Sequence, residues 1–381
     1  MKAILPLLLA VLLGACAAAP VAPSAAHLLH DDLVQPPSER IEDAAEIFAV
    51  SDDMRRHLAF ELARHFRTKG RAKGLSEALY SRNMLAIEYD GTFTRNAAET
   101  FKIRSGNCLS LAIMTAALAR ELDLAVTYHS VIGEEQWSRS GGVYFAAGHV
   151  NLTLGRRHID PRNRLGTGDL LTIDFVPVRA PHGQRTWLIE EKTVAAMYMN
   201  NRAAESLAQG RWNDAYWWAR ASVMQDPAFM SAANTLGVVY RRMGHLAQAE
   251  EALAHVMARE PENTTVLSNL ALVYADQGRA AEAAAATSRL LALQPQPPFH
   301  FLERGIAAIR RGEFAAARRE FEREAERDDE YHELQFWMAV ADAALGDYGA
   351  ASKHLQVAIR NSPDRRQSDL YSAKLALLRK N

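Results

Sequence analysis

The chain of 381 residues contains two cysteines, and one of them, Cys108, begins a helix-forming stretch. Ser105, Gly106 and Asn107 precede it, and residues of these types favour turns and helix caps. At the start of a helix, the unpaired backbone amides and the helix dipole stabilise a thiolate. The sequence therefore indicates a cysteine nucleophile at position 108. A buried structural thiol is the alternative.

A thiolate nucleophile needs a base within hydrogen-bond reach, and the base needs a third group that holds its tautomer. Four histidines follow Cys108 before residue 190: His129, His149, His158 and His182. The alternation around His149 places it on one strand face with Asn151 and Thr153, which favours His149 as the base. The last two histidines are expected in exposed turns, and the first remains a competitor.

Two aspartates are candidates for the third group. Asp160 lies in an Asp-Pro turn signal, whereas Asp174 interrupts the apolar run of residues 170–176. An unpaired carboxylate in such a run would cost several kcal/mol, so Asp174 needs a partner and is favoured as the third group. A buried arginine is the structural alternative to a histidine partner. Asp160 stays open as the other choice.

The elements that must position these residues are predicted to be helices first and strands second. Ser51 begins a helix with apolar residues at every fourth position, and residues 108–122 predict a central buried helix. Two further helices are expected near residues 75–85 and 96–101. β-rich stretches follow at 125–132, 143–145, 149–154 and 170–178. We predict an α+β domain over residues 46–190.

The C-terminal part of the sequence repeats with a period of 34 residues. Glycines that share this spacing are Gly210, Gly244, Gly278, Gly312 and Gly346. The stretch from Leu236 to Pro261 carries the small and aromatic residues of a tetratricopeptide repeat. We predict five repeats over residues 196–365, forming an all-α tetratricopeptide-repeat superhelix, and a capping helix over 366–381. Four aromatic residues of the first repeat are predicted to pack against the preceding domain: Trp212, Tyr216, Trp217 and Trp218.

Three short stretches together resemble the transglutaminase-like superfamily over residues 45–190: Arg104 to Ser110 around the cysteine, Gly148 to Leu152, and Thr172 to Phe175. The resemblance implies a papain-like α+β fold in which Cys108 faces His149 and an aspartate on adjacent strands. Bacterial members fused to tetratricopeptide repeats have a strand that ends in Asp-Phe, which favours Asp174. Other members use Asp-Pro, which favours Asp160. His149 is not followed by the aromatic residue usual in the superfamily.

The candidate triad predicts acyl transfer from an amide or peptide bond. His149 would accept the thiol proton, and Cys108 would attack the carbonyl to form an acyl-enzyme. The backbone amide of Cys108 is one oxyanion donor, and the second is open among Asn107, Ser110 and Asn151. Hydrolysis is preferred over crosslinking because no feature marks an amine-acceptor site. The alternative function is a catalytically inactive scaffold for envelope assembly that binds a peptide or protein partner through its repeats.

Composition and motifs limit the other function classes. Hydrophobic residues make up 49% and charged residues 23% of the chain, as in ordinary globular proteins. The net charge of -1 does not favour a nucleic-acid partner. The sequence has no Cys-x-x-Cys, no His-Glu-x-x-His and no Gly-rich phosphate loop. Neither a metal nor a cofactor is predicted.

The N-terminus has the pattern of an export signal, with Lys2, an apolar run and small residues, which predicts a signal peptide over residues 1–15. Leu13 to Cys16 resembles a bacterial lipobox, so Cys16 is expected to carry lipid and to bind the membrane. Ala17 rather than Asp follows the cysteine, and the resemblance to sorted lipoproteins implies the outer membrane, with the protein facing the periplasm. Residues 16–45 are rich in proline and alanine and are predicted to form a flexible tether.

Overall fold

The structure is a computed structural model that describes residues 25–81, 83–91, 93–140, 143–156, 170–175, 186–362 and 365–378. The predicted signal peptide, Cys16 and Asp160 lie outside the described residues, as do His158 and His182. The chain divides into two compact units, Met1–Pro261 and Glu262–Asn381. The division falls within the repeats, and the domain boundary near residue 190 stays a prediction.

The first unit begins with helices, as predicted. They are α1 Ala44–Ile47, α2 Asp52–Arg56, α3 Ala63–Lys69, α4 Arg71–Tyr80, α5 Ala97–Ile103 and α6 Cys108–Glu121. Ser51 caps α2 by accepting the amide of Met54 at 3.3 Å. A π-helical turn over His57–Glu61 lies between α2 and α3, so the helix predicted from Ser51 is interrupted. Helix α6 is buried over most of its length, in agreement with its apolar sequence.

Strands follow the helices and form an antiparallel sheet in the order β5-β4-β3-β6. Its strands are β3 Leu124–Ser140, β4 Val143–Arg156, β5 Leu171–Ile173 and β6 Thr186–Ile189. Helix α6 packs against β3 and β4. Two short strands, β1 Glu88–Tyr89 and β2 Ser105–Gly106, pair in parallel. The sequence did not predict β1, β2 or β6, since strands this short show too little alternation to be recognised.

Five helix pairs occupy the predicted repeats within the described residues. They are α7 Glu191–Ala208 with α8 Trp212–Gln225, α9 Met230–Met243 with α10 Leu246–Met257, α11 Thr264–Asp276 with α12 Ala280–Leu293, α13 His300–Arg310 with α14 Phe314–Ala325, and α15 His332–Ala344 with α16 Tyr348–Arg360. The glycines spaced by 34 residues follow the first helix of each pair, with φ between 74° and 84°. Glycine adopts this left-handed conformation without steric cost, so each period of the sequence corresponds to one helix pair.

Small residues allow the two helices of a pair to approach closely. A Cβ atom at Gly237 in α9 would lie 2.8 Å from Leu253 Cγ in α10. At Gly305 in α13, a Cβ atom would lie 2.1 Å from Phe321 Cε1 in α14. After the last pair, α17 Arg365–Leu378 contributes Tyr371 to a buried cluster with residues of α15 and α16. This helix lies where the capping helix was predicted.

Residues 25–40, which we name the N-terminal segment, differ from the predicted flexible tether. The segment contains two short 3-10 turns, Ala26–Leu28 and Asp31–Leu33. Leu28 is 1% exposed, and its carbonyl accepts the hydroxyl of Tyr240 at 2.8 Å. The segment has no helical or strand period, so its order comes from contacts with residues far along the chain. Such contacts cannot be read from local sequence.

None of the helices in the described ranges is long and apolar enough to cross a membrane.

Candidate functional site

Cys108 is the first residue of α6 and is partly exposed. Asn107 is the N-cap residue, and its side chain accepts the amide of Ser110 at 2.9 Å. Gly106 allows α6 to lie close to β2, because a Cβ atom there would be 2.8 Å from Ser110 Cβ. The helix start therefore has the cap and the close approach that hold Cys108 at a partly exposed helix N-terminus.

His149 lies in β4 opposite Val131 of β3, and its side chain is 4% exposed. The Nε2 atom of His149 is 2.7 Å from Oδ1 of Asp174, and the ring also forms a hydrogen bond with Cys108. Because Asp174 occupies Nε2, the Nδ1 atom is the one available to the thiol. The structure thus brings Cys108, His149 and Asp174 together in the order that a nucleophile, a base and an orienting carboxylate require.

The imidazole of His149 is surrounded by groups that favour its charged form. Burial lowers the pKa of His149, but hydrogen bonds and the negative charges of Asp174 and Cys108 outweigh burial and raise it to about 9. His149 therefore carries a proton at neutral pH. A protonated imidazole beside the sulfur is suited both to stabilise a thiolate and to donate a proton to a leaving group.

Asp174 directly follows β5, whose end at Ile173 comes earlier than the sequence pattern predicted. The side chain of Asp174 is 32% exposed, so the carboxylate is less buried than an interior strand position implied. Asn151 donates to Oδ2 of Asp174 at 3.3 Å. The hydroxyl of Tyr80 donates to the backbone carbonyl of Asp174 at 3.0 Å. These contacts hold Asp174 beside the imidazole of His149.

The side chains that the sequence left open as second oxyanion donors are all engaged elsewhere. Asn107 donates to Thr94 Oγ1 at 2.9 Å, and Ser110 Oγ donates to Asn107 Oδ1 at 2.9 Å. Asn151 donates to Asp174. The backbone amide of Cys108 has no acceptor within the helix, because it belongs to the first turn. This amide remains a candidate donor.

His129, the competing base, is directed to another partner. Its Nε2 atom lies 3.0 Å from Thr153 Oγ1, across the β3–β4 pair. Burial lowers the pKa of His129, so this histidine is neutral at physiological pH. Thr153 also lies 3.0 Å from the hydroxyl of Thr172 in β5. His129 therefore belongs to a polar cluster on the sheet rather than to the group around Cys108.

Tyr89 is a neighbour of the site that the sequence did not indicate. It lies in β1 opposite Gly106, two residues before Cys108, and is 39% exposed. Burial raises the pKa of Tyr89, and the negative charges of Cys108 and Asp90 raise it further. The phenol is therefore protonated near neutral pH, and it lies close enough to Cys108 for the charge of the sulfur to raise its pKa. A two-residue strand has no recognisable alternation of residues, so Tyr89 could not have been identified from the sequence.

A chain of hydrogen bonds joins the first repeat to the helix that begins with Cys108. Glu205 of α7 accepts the backbone amide of Thr94 at 2.7 Å, and Thr94 is 1% exposed. The hydroxyl of Thr94 accepts the side chain of Asn107, which in turn caps α6. Burial raises the pKa of Glu205 despite its hydrogen bonds to Thr94 and the charge of Arg202. Glu205 was not predicted, because it lies 111 residues from Thr94.

In the ranges that the structure describes, no group of three or more histidine, cysteine, aspartate or glutamate side chains is arranged to hold a metal ion.

Comparison with protein families assigns the C-terminal region. The tetratricopeptide repeat model matches residues 234–298 and 302–379. The C-terminal region therefore carries tetratricopeptide repeats, which bind proteins or peptides, and this part of the predicted fold is confirmed. The matched residues lie outside 45–190, so the transglutaminase-like resemblance stays a prediction. No curated protein matches the chain significantly.

Solved tetratricopeptide repeat structures resemble the chain over about half its length. A thermophilic repeat protein of Thermus thermophilus is 18% identical, covers 48% of this chain and 100% of its own, with a TM-score of 0.38. Pseudomonas aeruginosa pilF is 20% identical over 50% of this chain and 87% of its own, with a TM-score of 0.35. A repeat protein of Parabacteroides merdae is 19% identical over 49% and 73%, with a TM-score of 0.30. Similarity at this level does not extend to function.

Proposed function

We propose that the protein binds a protein or peptide partner through its repeats and hydrolyses an amide bond at Cys108. The binding function follows from the tetratricopeptide repeats. One observation carries the catalytic function: His149 forms hydrogen bonds with both Cys108 and Asp174. A transglutaminase-like, papain-like α+β domain over residues 46–190 is part of this proposal.

The first chemical step follows from the protonation of His149. In the resting pair the proton of the Cys108 thiol already resides on Nδ1 of His149, and Asp174, 2.7 Å from Nε2, stabilises the imidazolium. Sγ of Cys108 then attacks the carbonyl carbon of the amide. The tetrahedral intermediate collapses to a thioester as His149 returns the proton to the departing amine.

Hydrolysis of the thioester completes the cycle. Water gives one proton to His149 and attacks the acyl carbon, after which the proton returns to the leaving sulfur and a carboxylic acid is released. The backbone amide of Cys108 is one donor to the oxyanion. Tyr89 is the candidate second donor, because it lies in β1 opposite Gly106, close to the start of α6, and its phenol is protonated.

The second candidate function is a catalytically inactive scaffold that only binds its partner. The match of residues 234–298 and 302–379 to tetratricopeptide repeats favours this function on its own, since it concerns binding and not catalysis. A scaffold does not require Cys108 to be reactive, so the reactivity of this thiol distinguishes the two functions.

Burst kinetics with p-nitrophenyl acetate test the catalytic function. The experiment uses a chain with Cys16→Ser, which leaves Cys108 as the only thiol of the two cysteines in the sequence. We expect a burst of one p-nitrophenolate per protein, because acylation precedes slower hydrolysis of the thioester. Cys108→Ala removes the burst. Tyr89→Phe slows acylation roughly 10²-fold, as loss of one oxyanion donor does.

An equal burst in the Cys108→Ala chain would place the reactive group elsewhere. The absence of a burst in the Cys16→Ser chain, with Cys108 intact, would leave the scaffold as the function.

Envelope anchoring through Cys16 belongs to the same proposal. The stretch Leu13 to Cys16 supports it, with a small residue before the cysteine and an apolar run ahead of it. The proposed location is the outer membrane, with the protein facing the periplasm. Labelling of bacteria with radioactive palmitate is expected to mark the wild-type chain and not Cys16→Ser. Label in both chains would contradict the anchor.

A further inference from the structure

The N-terminal segment crosses a surface formed by α7, α8, α9 and α10. We name this the segment-binding surface and define it by the side chains that contact residues 25–40: Arg202, Arg211, Asp214, Tyr216, Trp217, Trp218, Arg220, Tyr240, Glu251 and His255. Beside two carboxylates, Asp214 and Glu251, it carries arginines and aromatic side chains that suit an acidic ligand.

Asp31 of the segment is bound by two side chains of α8. Tyr216 donates its hydroxyl to Oδ1 of Asp31 at 2.6 Å. The Nε atom of Arg220 donates to both carboxylate oxygens, at 2.8 and 3.0 Å. Desolvation by burial raises the pKa of Asp31, but the bonds from Arg220 and Tyr216 and the charge of Arg220 lower it overall. The surface therefore holds this residue as a carboxylate.

Glu39 is bound in a second position on the same surface. The indole Nε1 of Trp218 donates to Oε1 at 2.6 Å, and Arg202 donates to the same oxygen at 3.2 Å. Arg211 lies 3.1 Å from Oε2. Desolvation by burial acts against ionisation, but Trp218 and the two arginines lower the pKa of Glu39 overall. Two carboxylates eight positions apart are thus each held by an arginine and an aromatic donor.

Main-chain atoms of the segment are also recognised. Tyr240 donates to the carbonyl of Leu28 at 2.8 Å and accepts the amide of His30 at 3.0 Å. Trp217 donates to the carbonyl of Gln35 at 2.8 Å. Asp214 accepts both the amide and the hydroxyl of Ser38 at 2.6 Å. The surface therefore bonds the main chain of the segment at several positions, as peptide-binding sites do.

Two aliphatic side chains complete the arrangement. Leu28 is 1% exposed and Val34 is 9% exposed, whereas Asp32 and Gln35 of the same segment face solvent. Burial of a Leu or Val side chain stabilises a bound peptide without regard to charge. The segment is therefore held by alternating aliphatic and acidic anchors along its length.

We propose that the segment-binding surface is a recognition site for peptides with two carboxylates and two aliphatic anchors, and that residues 25–40 are its ligand in cis. The charged contacts lie partly in solvent, since Asp31 is 43% and Arg220 is 33% exposed, and so they are screened by salt. This inference deepens the binding half of the proposed function and does not depend on the chemistry of Cys108.

The test uses the full chain with a site-specific protease sequence inserted between Arg40 and Ile41. After cleavage, a fluorescent synthetic peptide of residues 25–40 is added, and its anisotropy is followed. We expect saturable exchange, with binding at least tenfold weaker for a peptide carrying Asp31→Asn and Glu39→Gln. Arg220→Gln in the protein weakens binding several-fold. The matched control Arg310→Gln, at an exposed arginine of α13, leaves it unchanged.

A second measurement needs no cleavage. The amide of His30 bonds to Tyr240 and that of Ser38 bonds to Asp214, so their hydrogen exchange reports release of the segment. Exchange is expected to be at least tenfold faster in Asp31→Asn with Glu39→Gln than in the wild type. Peptide binding that is equal with and without the two carboxylates, or unchanged exchange of both amides, would overturn the proposal. The p-nitrophenyl acetate burst, measured on the same cleaved chain, reports the catalytic half separately.

Discussion

The repeats and the region around Cys108 differ in how their contacting residues are spread along the chain. In the repeats, a helix packs on the next helix, as Gly305 packs on Phe321 within one pair. Around Cys108, His149 meets an aspartate 25 residues away, and Thr94 meets a glutamate 111 residues away. A repeated local contact can be lost in one pair and kept in the others. Each contact around Cys108 is made only once, so no equivalent contact remains when it is lost.

The largest expected effect concerns the side chain that joins the two other members of the candidate triad. His149→Gln should lower acyl transfer from p-nitrophenyl acetate roughly 10⁴-fold, because the general base and its link to Asp174 are both lost. Stopped-flow absorbance measures the rate. Binding of the peptide 25–40 to the cleaved chain should not change. Loss of both acyl transfer and peptide binding would show that the two regions do not function independently.

The second effect concerns the orienting carboxylate. Asp174→Asn removes a hydrogen bond and a negative charge that raise the pKa of His149, while burial continues to lower it. The pKa should fall from about 9 toward its ordinary value of 6.5. His149 is then protonated at pH 8 in the wild type and neutral in the variant. NMR of labelled histidine, assigned with His149→Ala, follows the titration.

Asp52→Asn, at an exposed aspartate of α2, is the control and should leave the titration of His149 unchanged. An unaltered titration in Asp174→Asn would show that another group holds the imidazolium.

The third effect tests the close approach within a helix pair. Gly305→Ala places a Cβ atom 2.1 Å from the ring of Phe321, so the ring must move. We expect a loss of about 1–3 kcal/mol in the free energy of unfolding, measured by urea titration. Gly349→Ala in α16 is the matched control, since its Cβ meets only Asp347 Oδ1 at 3.6 Å. Equal stability of the two variants would contradict close packing at Gly305.

The smallest effect concerns the link between the two regions. Glu205→Ala removes the acceptor of the Thr94 amide, which costs about 1 kcal/mol for a buried hydrogen bond. Alkylation of Cys108 by iodoacetamide should slow about fivefold, because Thr94 supports the Asn107 cap. Glu205→Gln keeps the acceptor and should restore the rate. A rate in Glu205→Gln as low as in Glu205→Ala would assign the effect to charge instead.

Local patterns in the sequence predicted the helix pairs and α6, because period, caps and apolar spacing are properties of neighbouring residues. The strands around His149 were also predicted in kind, although Asp174 lies just beyond β5 and not inside it. The N-terminal segment was predicted to be flexible because it is rich in proline and alanine. Its composition does not reveal the long-range contacts of Asp31 and Glu39. The roles of Tyr89 and Glu205 depend on tertiary contacts that no sequence period encodes.

The pH dependence of Cys108 alkylation tests the central claim most directly. In the Cys16→Ser chain, the rate of reaction with iodoacetamide should rise at lower pH than in the same chain with His149→Ala. This difference is expected because the imidazolium of His149 stabilises the thiolate. Coincident rate–pH curves for the two chains would contradict a Cys108–His149 pair and leave the repeats as the functional part of the protein.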